Sequence, residues 1–194
     1  ESQLGKMLSQ KSKEGKNAAY YLGNKNVQWE EIDSTTLEWM DFSAREREKY
    51  SLKKGDILVC EGGEVGRSCV WTGQIQGCYY QKAIHRLRAK IDYVSDLFPK
   101  FIQWSISYGF LADFTSQTSI AHLTKEKLDE LWIIVPEYPE QIRICDVFSG
   151  QDLYKQQTSI ELIKLRSLKT ALMQDLLTGK KRVTPLMENM EACS

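Results

Sequence analysis

Two prolines, Pro136 and Pro139, close a short apolar run, Trp132-Ile133-Ile134-Val135, and from residue 140 to about 178 no further proline follows. A proline ring blocks continuation of a helix or a ladder and pushes the residue before it toward extended backbone. The segment Pro136-Glu137-Tyr138-Pro139 therefore reads as a hinge after a strand at 132–135. Beyond it Leu, Lys, Gln, Glu and Arg dominate, Gly150 is the one glycine, and Gly179 supplies a natural helix stop. Roughly 38 helical residues would reach about 57 Å at 1.5 Å per residue. A helix of that length outruns a domain built from the preceding residues and must find part of its packing elsewhere. The expected division is a head, residues 1–138, a helical arm, residues 139–180, and a tail, residues 181–194.

Along the arm Leu165, Leu168, Leu172 and Leu176 recur at steps of three, four and four, preceded by Leu153, Ile160 and Ile163. That spacing reads as a helix–helix seam. Packing back on the head can account for residues 140–153. Further along, another molecule or a second half of the same parent chain fits better. Lys155, Lys164, Arg166, Lys169, Lys180, Lys181 and Arg182 outnumber Asp152, Glu161 and Asp175 there, while the head is close to neutral. Lys180-Lys181-Arg182 reads as a solvated tail.

With 194 residues, 42% of them hydrophobic, the chain can bury one good core and carry an appendage. A formal net charge of zero names no partner. No run of about 18 apolar residues exists, so no membrane helix is expected. The start, Glu1-Ser2-Gln3-Leu4, shows neither Met nor a signal-peptide pattern and reads as one half of a longer chain. Five cysteines include no Cys-x-x-Cys pair and stand in apolar, strand-like surroundings. Reduced thiols packed as small hydrophobes, and hence a cytoplasmic protein, are expected. His85 and His122 read as core or surface residues rather than zinc ligands, and no metal site is expected.

Within the head, residues 22–33 alternate loosely and read as a strand. Ser43 followed by Glu46 is a capping box for a short solvated helix. Lys54-Gly55-Asp56 is a turn, Ile57-Leu58-Val59-Cys60 a buried strand, and residues 61–67 a glycine-rich loop. Residues 68–71 return as a second strand, and 78–88 supply a third. A helix follows Pro99, a polar loop spans 115–120, and a helical turn opens near Leu123. Short strands interleaved with helices, without regular β-α-β spacing, argue a mixed α+β head followed by a long helix.

Catalytic signatures are missing. There is no Gly-x-x-x-x-Gly-Lys-Ser/Thr loop for ATP, and Gly62-Gly63-x-x-Gly66 lacks dinucleotide spacing. Glu14-Gly15-Lys16 has no aspartate before it to complete a nuclease metal site, because Asp33 is the first. No Asp/Asn-Pro-Pro-Tyr/Phe tetrapeptide for amino methylation occurs. A Cys–His nucleophile has no supporting context, so the chain reads as a non-enzyme.

Binding chemistry is better represented. Three glycines in 61–67 let backbone approach a ligand closely, and Arg67 can reach a phosphate or a guanine edge. The plainer alternative is a hairpin turn needing positive φ. The stretch 79–88 mixes aromatics, amides and cations, with Gln81, Lys82 and Arg86 of the types that read purine edges or grip phosphates. An amphipathic strand with a solvated face is the competing reading. Thr118 and Ser119 can touch phosphates, or belong to an ordinary polar loop.

Four stretches together resemble the specificity subunits of type I restriction–modification systems. They are Tyr20-Tyr21-Leu22-Gly23-Asn24-Lys25-Asn26-Val27-Gln28-Trp29; the run from Leu52 through Gly62-Gly63-Glu64-Val65-Gly66-Arg67; Gln81-Lys82-Ala83-Ile84-His85-Arg86-Leu87-Arg88; and Pro136-Glu137-Tyr138-Pro139-Glu140-Gln141-Ile142-Arg143-Ile144, with the arm ending Leu176-Leu177-Thr178-Gly179-Lys180. Tyr138 interrupts the consecutive prolines usual at that junction. The resemblance implies a target recognition domain reading half of a bipartite site in double-stranded DNA through the major groove. It also implies a long helix that pairs antiparallel with a second one, with methyltransferase and restriction subunits assembled around them. It implies no cofactor in this chain, since methyl donor and ATP belong to the partners. One head and one arm are half of such a subunit, completed by a second half in the parent chain or by a homodimer reading a palindrome. On this resemblance the DNA face is expected at Gly62, Gly63, Arg67, Gln81, Lys82 and Arg86, with Thr118 and Ser119 secondary. Which bases are read is not legible. The competing function is a protein-interaction adaptor dimerising through its helix.

Overall fold

The computed structural model describes residues 1–111 and 122–182. Strand β4 (Ile57–Cys60) organises the head. All four of its residues are buried, as a continuous apolar run requires when both faces are covered. Successive side chains alternate in direction. Leu58 and Cys60 join Leu22, Cys69, Trp71, Tyr80 and Ile84 in one core cluster, while Ile57 and Val59 join Phe98, Ile102, Leu123 and Leu128 in another.

Around it the described residues form a four-stranded antiparallel sheet in the order β1-β7-β4-β5, with β1 (Ser2–Leu4), β5 (Ser68–Val70) and β7 (Ile84–Leu87). A three-stranded sheet has the order β3-β2-β6, with β2 (Ala18–Leu22) antiparallel to β3 (Glu38–Asp41) and parallel to β6 (Tyr79–Tyr80). A third cluster joins Tyr21, Met40, Phe42 and Tyr79. Helix α1 (Ala44–Tyr50) carries the expected capping box: the Glu46 amide donates to Ser43 Oγ, and the Ser43 amide donates to the Glu46 carboxylate at 2.9 Å. Helices α2 (Leu97–Ser107) and α3 (Lys125–Asp129) supply Phe98, Ile102 and Leu128 to the cluster behind Ile57 and Val59. Pro99 lies inside the first turn of α2, where its missing amide costs nothing.

Three expected strands differ from the structure. Residues 22–33 turn instead: a 3-10 turn at Asn24–Asn26 is held by Asn26, whose Oδ1 accepts from the Gly23 amide and whose Nδ2 donates to the Asp33 carbonyl. Turn chemistry overrode a loose alternation. Residues 78–88 split into β6 and β7, which belong to different sheets. The crossing at 81–83 includes Ala83 at φ 83°, a conformation that ends strand geometry. Residues 132–135 form no strand and have no ladder partner among the described residues. Leu131 and Ile133 pack inward on the helix-side cluster, whereas Trp132 and Ile134 are 90% and 73% exposed.

Helix α4 (Tyr138–Leu177) is continuous over 40 residues and begins two residues earlier than expected, with Pro139 in its first turn. It ends as the glycine implied: Gly179 adopts φ 71°, and its amide donates to the Leu176 carbonyl. The chain divides into two compact units, Glu1–Cys145 and Asp146–Ser194, so the first turns of α4 belong with the head. No described helix is long and apolar enough to cross a membrane.

Candidate nucleic-acid interface

The sheet crossing at 81–83 places a set of polar side chains beside the glycine-rich loop. Gly5 lets the crossing happen: a Cβ on it would fall 2.2 Å from the Gln81 carbonyl oxygen, so only glycine fits. The Lys82 amide donates to the Lys6 carbonyl at 2.7 Å, and the Glu61 amide donates to the Ala83 carbonyl at 2.9 Å. These bonds tie the crossing to the start of loop 61–67. Between them opens a concavity of about 430 Å³ lined by Met7, Leu8, Gly62, Gln81, Lys82 and His122.

Loop 61–67 is shaped from within. Gly63 and Gly66 adopt φ values of 77° and 80°, a region that L side chains rarely enter. A Cβ on Gly66 would also press on Ile102 at 3.0 Å. The Asn24 Nδ2 donates to the Gly62 carbonyl at 3.0 Å, and Arg67 Nη2 donates to the Asn24 carbonyl at 2.7 Å. The chain Arg67–Asn24–Gly62 braces the loop against the turn that follows β2.

The expected contact residues therefore divide. Gly62, Gln81 and Lys82 come together at the concavity, and Lys82 is exposed. Gly63 is exposed in the same loop, where a Cβ would fall 3.1 Å from Asn24 Nδ2. Arg67 does not reach out: its side chain is 14% exposed, held by the Asn24 carbonyl and by Glu64 at 3.6 Å. Arg86 is buried, and its Nη2 pairs with Glu1 Oε1 at 2.6 Å, so here it is a structural cation. The neighbouring guanidinium holds the Glu1 carboxyl below the usual range. Thr118 and Ser119 lie outside the described residues.

Asn24 and His122 stand at this concavity and its loop without having been expected there. Asn24 stood inside a quoted stretch, but its amide looks like any turn residue until its bond to Gly62 is seen. His122 carried no signal, because what sets it beside the loop is contact with a residue sixty positions away. The Lys82 ammonium shares the concavity with the Glu61 carboxylate. The site is thus a nearly neutral array of donors and acceptors, suited to hydrogen-bonded reading more than to bulk attraction of phosphate.

Its chemistry is not that of a nucleophile. Cys60 and His85 lie on adjacent strands, but Cys60 faces the inter-sheet cluster while His85 Nε2 bonds the Leu123 carbonyl on the other side, at 3.1 Å. Burial pushes the Cys60 thiol up against the pull of Arg67, keeping it protonated at neutral pH. Among the described residues no group of three His, Cys, Asp or Glu side chains gathers as a metal site.

A solved chain, from work on the structural basis underlying complex assembly and conformational transition of the type I R-M system, superposes with a TM-score of 0.62 at 16% identity. The match covers 90% of this chain and 42% of that one, so the present chain spans less than half of its relative's length. At that identity the likeness speaks for the fold. No curated protein matches the chain. The profile of the family described as Type I restriction modification DNA specificity domain matches residues 1–166, the whole head and much of α4. The chain, with its α+β head and long terminal helix, belongs to that family of specificity domains.

Proposed function

We propose that this chain is the sequence-reading, non-catalytic half of a type I restriction–modification specificity subunit, acting in the cytoplasm without a cofactor of its own. The observation that carries the reading is the convergence of Gly62, Gln81 and Lys82 on one concavity within a family-matched head. Residues 1–138 read duplex DNA and residues 139–180 set spacing and dock partners; most of the expected tail, 181–194, lies outside the described residues. Gly63, Gln81 and Lys82 face the DNA with Gly62 in the floor of the concavity, while Arg67 braces the reading loop and Arg86 holds the first strand. Methyltransferase and restriction subunits are the partners, directed to a bipartite site by this half together with a second one.

Lysine on phosphate attracts without discriminating, whereas amide and imidazole groups discriminate. With few cations at the site, binding of duplex DNA should weaken only modestly between about 50 and 200 mM salt, by roughly 3- to 4-fold for each phosphate contact. Lys82→Ala should weaken binding evenly across sequences and reduce the slope of log affinity against log salt by about 1. A chain that binds no duplex even at low salt, or that binds every sequence alike, is not the reader proposed.

A further inference from the structure

Gly62 is a glycine without a backbone reason. Gly63 and Gly66 hold positive φ, but Gly62 does not. What a side chain at 62 would meet is the imidazole of His122: a Cβ would fall 3.0 Å from Nδ1 and 3.2 Å from Cε1. The ring thus rests on the bare backbone of the reading loop, at the edge of the concavity that Gln81 and Lys82 share.

The placement of His122 is fixed from behind. The Leu123 amide donates to the Glu61 carbonyl at 2.8 Å, the Leu123 carbonyl takes the His85 Nε2 hydrogen bond, and the Leu123 side chain is fully buried. A side chain one residue from such an anchor starts from a fixed point while its own ring stays exposed. The Gly62 carbonyl is pinned by Asn24 Nδ2, so the floor beneath the ring is fixed as well. The two imidazole nitrogens can hydrogen-bond the groups that a base edge presents in the major groove.

We infer that His122 is a specificity-determining residue, contacting a base edge from its seat on Gly62, and that Gly62 is its positioning residue. This rests on the reading of the concavity as the DNA face.

The test is selection of bound sequences from a randomised duplex pool by the full chain, alongside His122→Ala, Gly62→Ala and the double variant, with thermal unfolding measured for each. The unchanged chain is expected to enrich a defined sequence. His122→Ala should relax one base position, losing roughly 5- to 100-fold discrimination there, while unfolding at the same temperature. Gly62→Ala should relax that same position by pushing the ring aside, and the double variant should be no worse than either single one. Enrichment by His122→Ala of an unaltered sequence overturns the inference, as does relaxation of different positions by the two single variants. If the unchanged chain enriches nothing, the proposed reading of the head falls first and takes this inference with it.

Discussion

His85 occupies an awkward place for a titratable side chain. It is fully buried on β7, its Nε2 donates to the Leu123 carbonyl, and its Nδ1 has no hydrogen-bond partner in the protein. Burial lowers its pKa, with Lys125 acting in the same sense and Glu61, Asp129 and the Leu123 hydrogen bond opposing. The folded state thus prefers the neutral ring, and the unfolded chain takes up the proton first as pH falls. The stabilisation is complete above the unfolded histidine value of about 6.5 and is lost as pH drops through and below it. Urea midpoints should fall between about pH 7.5 and 5.5, and His85→Gln, which keeps a donor for Leu123 and removes the titration, should flatten that fall. Equal slopes in the two proteins would refute the assignment. Of such roles the residues themselves disclosed only part. Gly62, Gln81 and Lys82, expected at the DNA face from their types, do come together at one concavity. Arg67 and Arg86 had the same types but were claimed by Asn24 and Glu1, partners distant in sequence.

At the level of elements, local signals survived wherever the stabilising groups were close in sequence. The Ser43–Glu46 box and the Gly179 stop are of this kind. The strand expected at 78–88 failed because its two halves belong to different sheets, a fact set by β1 and β2 and not by its own alternation. The junction before α4 shows both situations at once. Its Glu-Gln was legible as a motif, but its purpose emerges in three dimensions: Gln141 is 1% exposed, its Oε1 accepts from the Val94 amide at 2.8 Å, and its Nε2 donates to the Pro136 carbonyl at 2.9 Å and the Asp92 carbonyl at 3.3 Å. One side chain thus fastens the first turn of the helix to the loop before α2. Gln141→Ala removes the partner of the half-buried Val94 N–H and Pro136 carbonyl, and should cost about 1–3 kcal/mol of stability by denaturant titration. A loss below about 0.5 kcal/mol, the level of an ordinary surface substitution, would mean the junction is fastened some other way.

For the whole molecule the helix poses the question of assembly, and angular position sharpens it. At 3.6 residues per turn each step rotates by about 100°. Leu165, Leu168, Leu172 and Leu176 then share one side of α4, while Leu153, Ile160 and Ile163 share another, because the two-residue step from Ile163 to Leu165 swings about 200°. The single seam read from spacing is therefore two apolar faces, and all seven residues are exposed in the lone chain. Exposed apolar surface of this kind marks sites of association. A four-leucine face at steps of three, four and four suits an antiparallel helix partner, a second copy or the second half of a parent subunit, whose two-fold symmetry yields paired half-sites. On the proposed reading the Leu153 face is left for the methyltransferase subunit. At micromolar concentration the chain should sediment as a dimer. Replacing Leu165, Leu168, Leu172 and Leu176 together by Ala should dissociate it without loss of helicity, whereas replacing Leu153, Ile160 and Ile163 should leave the dimer intact and weaken capture of the methyltransferase subunit. Dissociation caused by the second set instead of the first would reverse the assignment of faces and with it the proposed geometry of the pair, and a monomeric unchanged chain would rule out the homodimer.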